Sequence, residues 1–132
     1  MSQQNVEIVR RGYDAVARGD FEALFEILDP GIEMRDAANS PDVEVYRGHQ
    51  GVFDFLAKQA SVFDDFHLLP ERFVAVEDEV VVLHRQVGRS RRTGLRLEAR
   101  YAHVWILRDK QAIRGRTYES WDAALEAVGL RD

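Results

Sequence analysis

The sequence contains no cysteine and only three prolines among its 132 residues. Without cysteine the chain cannot form a disulfide, a thiolate metal site or a cysteine nucleophile. No apolar run approaches the roughly 20 residues that a membrane-spanning helix needs, and the first residues lack the basic and apolar regions of a signal peptide. We therefore expect a soluble, cytoplasmic protein with no membrane partner, whose core forms without disulfides or metal.

Several motifs that identify large enzyme classes are also missing. The chain has no Gly-x-Ser-x-Gly, no P-loop and no Gly-x-Gly-x-x-Gly, which argues against the usual serine hydrolases, NTPases and dinucleotide-binding proteins. Its histidines lie on separate predicted elements and form neither a His-x-His nor a His-Glu-x-x-His pair. We expect no metal site and no cofactor. The four histidines are His49, His67, His84 and His103.

Charge is distributed unevenly along the chain. Residues 1–80 carry a net charge of −10 and residues 81–132 a net charge of +5. The densest basic run, residues 89–94, is typical of a hairpin turn, with contact to a phosphate or acidic ligand as the alternative. A nucleic-acid-binding protein would combine a basic domain with interleaved aromatic residues, whereas the pI here is about 5.4. We expect no nucleic-acid partner.

Apolar residues at helical spacing predict three helices in the first half of the chain. The stripe of the first helix comprises Val6, Val9, Tyr13 and Val16, and the third helix places Phe53 on its apolar face. The residues that should bound the helices are Arg18-Gly19 after the first, Asp20 before and Asp29-Pro30-Gly31 after the second, and Gly48 before the third.

The remaining segments predict strands. A short strand over residues 32–36 and a loop over 37–47 precede four longer β segments, which are rich in Val, Leu, Ile and aromatic residues. Short links between them make neighbouring strands antiparallel. A last helix follows Ser120 as its N-cap and ends at Gly129. This order predicts one α+β domain over residues 1–132, with helices covering one face of the sheet. The four β segments are residues 66–76, 79–89, 95–108 and 112–118.

The strand predicted over residues 95–108 carries a further signal. Its first half alternates apolar and charged residues, whereas residues 101–107 are apolar or aromatic on both faces. A strand buried on both faces needs a second cover besides the helices. We therefore predict a homodimer that forms through the convex face of the sheet.

Taken in order, several short segments resemble the SnoaL-like branch of the nuclear-transport-factor-2-like superfamily, over about residues 6–130. The resemblance implies a cone-shaped α+β barrel: three N-terminal helices on a strongly curved, mainly antiparallel sheet, a short C-terminal helix, and a cavity between them. Such families include ketosteroid isomerases, polyketide cyclases, epoxide hydrolases, dehydratases and binding modules, so the fold does not specify the reaction. The segments are Tyr13 with residues 18–21, residues 28–30, residues 46–52, residues 102–105 and residues 123–130.

Asp36 is the first candidate for catalysis. Counted without a gap from Gly19-Asp20, it corresponds to the aspartate that abstracts a proton in the similar ketosteroid isomerases. Desolvation at a strand end would raise the pKa of such a carboxylate toward useful values. In the same register, the tyrosine and the second acid of the isomerase oxyanion hole correspond to Gly12 and Ala102. Because Tyr13 is one residue away, the sequence argues against its substituting for that tyrosine.

His103 and Glu119 are further candidates, because similar polyketide cyclases pair a histidine with a carboxylate on late strands. The face that His103 occupies stays open. The isomerase register points it toward a dimer partner, whereas hydrophobic alternation groups it with Tyr101 and Trp105, and a β-bulge could switch the parity. His84 alternates with apolar residues and is expected to be a hydrogen-bonded core histidine.

Other residues are candidates for binding a small apolar molecule. Arg85 and Arg100 could supply the cation of an epoxide hydrolase, but no matching aspartate accompanies them. Two functions stay open: a cofactor-independent isomerase, cyclase or dehydratase acting on a small apolar carbonyl compound, and a non-catalytic binding module or dimeric partner domain. The candidate binding residues are Tyr13, Met34, Phe53, Arg85, Arg100, Tyr101, Trp105 and Tyr118.

Overall fold

The computed structural model describes residues 2–36 and 44–130, without the side chain of Ser2. Residues 37–43 of the loop predicted over 37–47 therefore lie outside the described residues. None of the helices within these two ranges combines the length and apolar character that crossing a membrane requires. The elements are α1 (Ser2–Arg18), α2 (Phe21–Glu26), β1 (Leu28–Arg35), β2 (Val45–Arg47), α3 (Gly48–Val62), β3 (Phe63–Val76), β4 (Glu79–Ser90), β5 (Arg96–Arg108), β6 (Gln111–Tyr118) and α4 (Trp121–Ala127).

The helix boundaries follow local signals in the sequence. Gly19 has a φ of +69° after α1, a conformation that glycine adopts without steric cost. The Asp20 carboxylate accepts a hydrogen bond from the backbone N–H of Ala23 at the start of α2. The Ser120 hydroxyl caps α4 in the same way, accepting from the backbone N–H of Ala123. These predicted caps are confirmed.

In the described part of the chain, six strands form one sheet in the order β2-β1-β6-β5-β4-β3. Every neighbouring pair is antiparallel except β1 and β6, which run parallel. The α+β class and the mainly antiparallel sheet are confirmed. Two local predictions were wrong: β1 begins at Leu28, which pairs with Ala112, and β2 forms inside the predicted loop. The register of β1 shifts between Leu28 and Glu33, where Pro30 has no N–H to donate.

The sheet is covered on both faces. Helices α1, α2 and α3 pack on the inner face, where they bury two clusters of apolar side chains. On the outer face α4 packs against Val81, Leu83, Ala102 and Val104, with Ala124 completely buried between them. The apolar outer face of β5 is thus covered within one chain. The homodimer stays a prediction, but the doubly apolar strand no longer requires it.

Candidate functional site

The orientation of the β5 side chains decides which residues can form a site. The pairing of β4 with β5 is unbroken, with His103 opposite Val82 and Trp105 opposite Val80. Val80 and Val82 pack in the inner cluster against α1. His103 therefore faces the inside with Trp105, as alternation indicated, and no bulge switches the parity between them.

Three polar side chains of the inner face form a hydrogen-bonded chain. The Trp105 Nε1–H donates to the Tyr13 hydroxyl over 2.9 Å, and that hydroxyl lies 2.6 Å from Nδ1 of His103. With the Tyr13 O–H donating to Nδ1, the hydroxyl hydrogen and the Trp105 N–H are both bonded, whereas the reverse direction would leave the hydroxyl hydrogen without a partner among these groups. The neutral imidazole then carries its proton on Nε2. Nε2 makes no hydrogen bond within the described residues.

Burial keeps both partners of this pair neutral. Desolvation raises the pKa of the Tyr13 hydroxyl far above its ordinary value, against a smaller opposing effect of the hydrogen bond from Trp105. Desolvation, with a smaller contribution from His84, lowers the pKa of His103 well below its ordinary value. At neutral pH, His103 is therefore a hydrogen-bond donor through Nε2–H and not a cation.

His84 lies beside this pair and is completely buried. Its ring centre is 4.2 Å from that of His103, and desolvation lowers its pKa to about 4. Neither ring nitrogen has a hydrogen-bond partner within the described residues. The prediction of a core-facing histidine is confirmed, whereas the expected hydrogen bond of its ring is not formed within the described residues.

Neighbouring cavities lie between the inner face of the sheet and the helices. His103 lines two of them, and a third, of about 450 Å³, adjoins the smaller of these at Tyr13, Phe55 and Leu56. The larger cavity has a volume of about 540 Å³ and is lined by both Asp36 and His103. The smaller cavity has a volume of about 80 Å³ and is lined mainly by apolar side chains. His103 and Phe55 line both and mark their boundary. Other polar residues of the larger cavity are Tyr46, Lys58, Gln59, Gln86, Glu98, Tyr101 and Thr117.

Asp36 follows β1 at the edge of the larger cavity. Its backbone N–H donates to the carbonyl oxygen of Glu44. Desolvation raises the pKa of its carboxyl group, Lys58 opposes this, and the negative charge of Glu44 adds to it. The Lys58 Nζ is 2.7 Å from the Glu44 carboxylate and 3.4 Å from the Tyr46 hydroxyl. These groups set the charge around Asp36.

Four of the candidate binding residues line a cavity. Tyr101 lines the larger one, and Tyr13, Met34 and Trp105 line the smaller one. Phe53 lines neither: it is 43% exposed and packs edge-on against Phe21. Phe55 takes its place in the cavity walls, because the face of α3 that contacts the sheet is rotated from the one that the apolar spacing indicated.

The remaining candidates lie away from both cavities. Arg85 pairs with Glu71 and Glu98 at 3.0 Å each, and the Arg100 guanidinium stacks on the Trp121 ring. Tyr118 packs in the outer cluster beneath α4. Glu119 is exposed beyond the end of β6. The expected pairing of His103 with Glu119 is therefore not formed, since the chain leaves the inner face at Tyr118.

Metal binding finds no support in the described ranges. Within residues 2–36 and 44–130, no three His, Asp or Glu side chains come together in a group that could hold a metal ion.

The sequence also matches a protein-family model. The model of the SnoaL-like domain matches residues 9–115, which run from the middle of α1 into β6. The chain belongs to the SnoaL-like domain family. The resemblance inferred from the ordered segments is confirmed. No curated protein matches the sequence significantly.

Solved structures share the fold of this SnoaL-like domain over nearly its whole length. An NTF2-like protein from Burkholderia xenovorans is 26% identical, with 97% of each chain covered and a TM-score of 0.79. TerC co-crystallised with polyporic acid is 25% identical, with 95% of this chain and 98% of TerC covered and a TM-score of 0.78. A putative SnoaL-like polyketide cyclase from Jannaschia is 22% identical, with 99% and 95% covered and a TM-score of 0.79.

The two positions that the resemblance assigned to the isomerase oxyanion hole lie apart in the SnoaL-like domain. Gly12 lines the smaller cavity and packs toward Ile27, whereas Ala102 is buried in the outer cluster beneath α4. The side chains that meet on the inner face are Tyr13 and His103. The sequence signals for this contact were the place of Tyr13 in the apolar stripe of α1 and the alternation of His103 with Trp105.

Proposed function

We propose that this SnoaL-like domain binds a small, largely apolar carbonyl compound and moves a proton to and from the carbon beside the carbonyl group. Chemistry of this kind underlies cofactor-independent isomerases, cyclases and dehydratases. The observation that carries the proposal is that Asp36 and His103 line the same cavity. A carboxylate and an imidazole N–H on one cavity can act on the two ends of an enolisable group.

Asp36 is assigned the role of general base. Burial raises the pKa of its carboxyl group, which makes the carboxylate a stronger base than an exposed aspartate. In the first step it takes the proton from the carbon beside the carbonyl group. The electron pair of that C–H bond moves to the carbonyl oxygen, and the protonated Asp36 later returns the proton to the same or another carbon.

His103 is assigned the stabilisation of the negative charge that develops on the carbonyl oxygen. Its Nε2–H is a fixed donor, because the Tyr13 hydroxyl holds the proton-free Nδ1 at 2.6 Å. A donor that is already oriented before the reaction costs no reorganisation when the charge forms. Tyr13 acts here through His103 and is a positioning residue.

One of the similar structures bears on the proposal. TerC, 25% identical to this chain, was co-crystallised with polyporic acid. This supports the use of the shared fold for holding a small organic molecule. The polyketide-cyclase names of other similar structures stand on identities of 19–22% and support the fold alone.

Exchange of hydrogen for deuterium tests the proposed step directly. Ketones incubated in deuterium oxide with the protein should lose the NMR signals of the hydrogens beside the carbonyl group faster than ketones alone. Asp36→Asn should lower the catalysed rate by about 100-fold or more. Asp14→Asn removes a carboxylate from the exposed face of α1 and should leave the rate unchanged. An unchanged rate in Asp36→Asn would refute the role of the carboxylate.

A non-catalytic binding module is the second candidate function. It is favoured by the position of Glu119, which is exposed and leaves His103 without the carboxylate partner that the similar cyclases use. The two candidates differ in one observable. A binding module would bind ketones, with wild-type and Asp36→Asn proteins showing the same affinity, and would catalyse no exchange.

A further inference from the structure

The smaller cavity offers apolar contacts but no free hydrogen-bonding group among the described residues that line it, apart from the Nε2–H of His103 at its boundary. The other polar atoms beside it are the Tyr13 hydroxyl, the His103 Nδ1 and the Trp105 Nε1, and these bond to one another. A polar ligand group entering this space would lose its water without gaining a partner. The part of a ligand that enters the smaller cavity is therefore hydrocarbon.

The boundary between the cavities gives the ligand a direction. His103 and Phe55 line both cavities, so a carbonyl group bonded to His103 has one substituent on each side. The walls of the larger cavity include Asp36, Lys58 and Thr117, which can bond to polar groups. The two substituents therefore differ in polarity, with the apolar one on the side of α1 and Trp105.

The volume of the smaller cavity limits the length of the apolar substituent. It measures about 80 Å³, whereas a dry protein cavity of about 150 Å³ holds benzene with its six carbons. About half that volume accommodates about three carbons. A longer chain would have to displace the side chains that close this cavity, among them Phe55 and Leu56, which separate it from a neighbouring cavity of about 450 Å³. Displacing packed side chains is unfavourable.

We propose that the substrate is a carbonyl compound with one short alkyl arm of about three carbons, which fills the smaller cavity, and a more polar remainder in the larger cavity. This inference rests on the proposed function, since it takes the carbonyl group to be bound at His103. Val9 is the residue through which it can be tested. It lies on α1, is buried, and lines the smaller cavity.

The experiment uses the linear methyl ketones from 2-butanone to 2-octanone, whose arms run from two to six carbons. Binding is followed by NMR titration of the valine and leucine methyl groups of the full-length protein. Each added methylene should tighten binding by about fourfold up to 2-pentanone, and further methylenes should add nothing. The first methyl signals to shift should be those of Val9, Val16 and Leu56, which line the smaller cavity.

Two substitutions at Val9 test the assignment of the arm. Val9→Leu adds one methylene to the cavity wall, so affinity should stop increasing at a ketone one carbon shorter. Val9→Ala enlarges the cavity, so affinity should go on increasing for about one further carbon. The matched controls are Val6→Leu and Val6→Ala. Val6 is also buried on α1 but lines neither cavity, so these variants should keep the wild-type break. Opposite shifts from two variants of one residue guard against a simple loss of folding.

The results separate this inference from the proposed reaction. The short alkyl arm would be refuted, even if exchange is catalysed, by affinity that increases continuously through 2-octanone. It would also be refuted if affinity stopped increasing at the same chain length in the wild type and in both Val9 variants. If the chain length at which affinity stops increasing changes with the Val9 variants, the short alkyl arm is supported. If the same samples catalyse no exchange, the protein binds this class of compound as a ligand, and the proposed reaction is refuted.

Discussion

The Tyr13 hydroxyl lies 2.6 Å from Nδ1 of His103, although 90 residues separate the two in the chain. The contact forms because the apolar stripe of α1 lies across the inner side chains of β5, which brings a tyrosine of the stripe over a histidine of the strand. The same hydroxyl accepts from Trp105. One oxygen thus satisfies two buried polar groups and fixes the tautomer of the imidazole.

Tyr13→Phe should destabilise the fold by about 1–3 kcal/mol, because it leaves the Trp105 N–H and the His103 Nδ1 buried without a partner. Urea unfolding at pH 7 measures the loss. The double variant Tyr13→Phe with Trp105→Phe should be less destabilised than the sum of the single variants. Tyr101→Phe is the control, since the Tyr101 hydroxyl makes no hydrogen bond within the described residues. Additive single effects would contradict the bonded chain.

His84→Leu should stabilise the fold by about 1–3 kcal/mol, because it removes two ring nitrogens that are buried without partners and replaces them with an apolar side chain of similar size. The melting temperature measures the change. His67→Leu is the control: His67 is an exposed residue paired with Asp65, and its loss should change stability by less than about 0.5 kcal/mol. A large destabilisation in His84→Leu would show that His84 has a hydrogen-bonded partner after all.

The stability of the protein should fall as the pH is lowered from about 6.5 to about 4. Burial lowers the pKa of His84 to about 4, whereas the unfolded chain has the ordinary value of about 6.5. The unfolded state therefore binds more protons in this window, and stability that is fully present above pH 6.5 is lost toward pH 4. For His84 alone the loss is about 3 kcal/mol, and His103 acts in the same direction.

Unfolding curves at pH 7.5, 6 and 4.5 measure this dependence in wild type and in His84→Leu. The variant lacks one of the two titrating imidazoles and should lose less stability between pH 7.5 and 4.5. Asp36 and Glu79 act in the opposite direction, because burial raises the pKa of their carboxyl groups, so the difference between the two proteins isolates His84. Equal losses in both would contradict the assignment.

A homodimer through the convex face remains a prediction from the sequence. In one chain α4 covers Ala102 and Val104 of that face, while residues 96–100 of β5 are exposed. Light scattering at micromolar concentration measures the mass. A dimer that dissociates on Arg100→Glu would assign the contact to this end of β5, with Arg10→Glu on α1 as the control. A mass of one chain would refute the dimer.

The sequence by itself determined the class, the order of the elements and most of their boundaries. Asp20, Ser120 and the glycines at the helix ends act on the backbone within a few residues, so their effect can be read locally. Period-two alternation in β5 contained the information that His103 and Trp105 share a face. The family resemblance agreed with the fold because both rest on the same ordered set of local signals.

Only the tertiary structure decided which of these side chains meet. The outer cover of β5 comes from α4, about 20 residues further along the chain, and no local pattern states where a C-terminal helix docks. The cavity that joins Asp36 to His103 depends on the curvature of six strands and on the rotation of α3, which puts Phe55 and Lys58 on the cavity walls and Phe53 outside. The unpartnered nitrogens of His84 arise for the same reason: alternation fixes the direction of a side chain, whereas its hydrogen bonds depend on every element that packs around it.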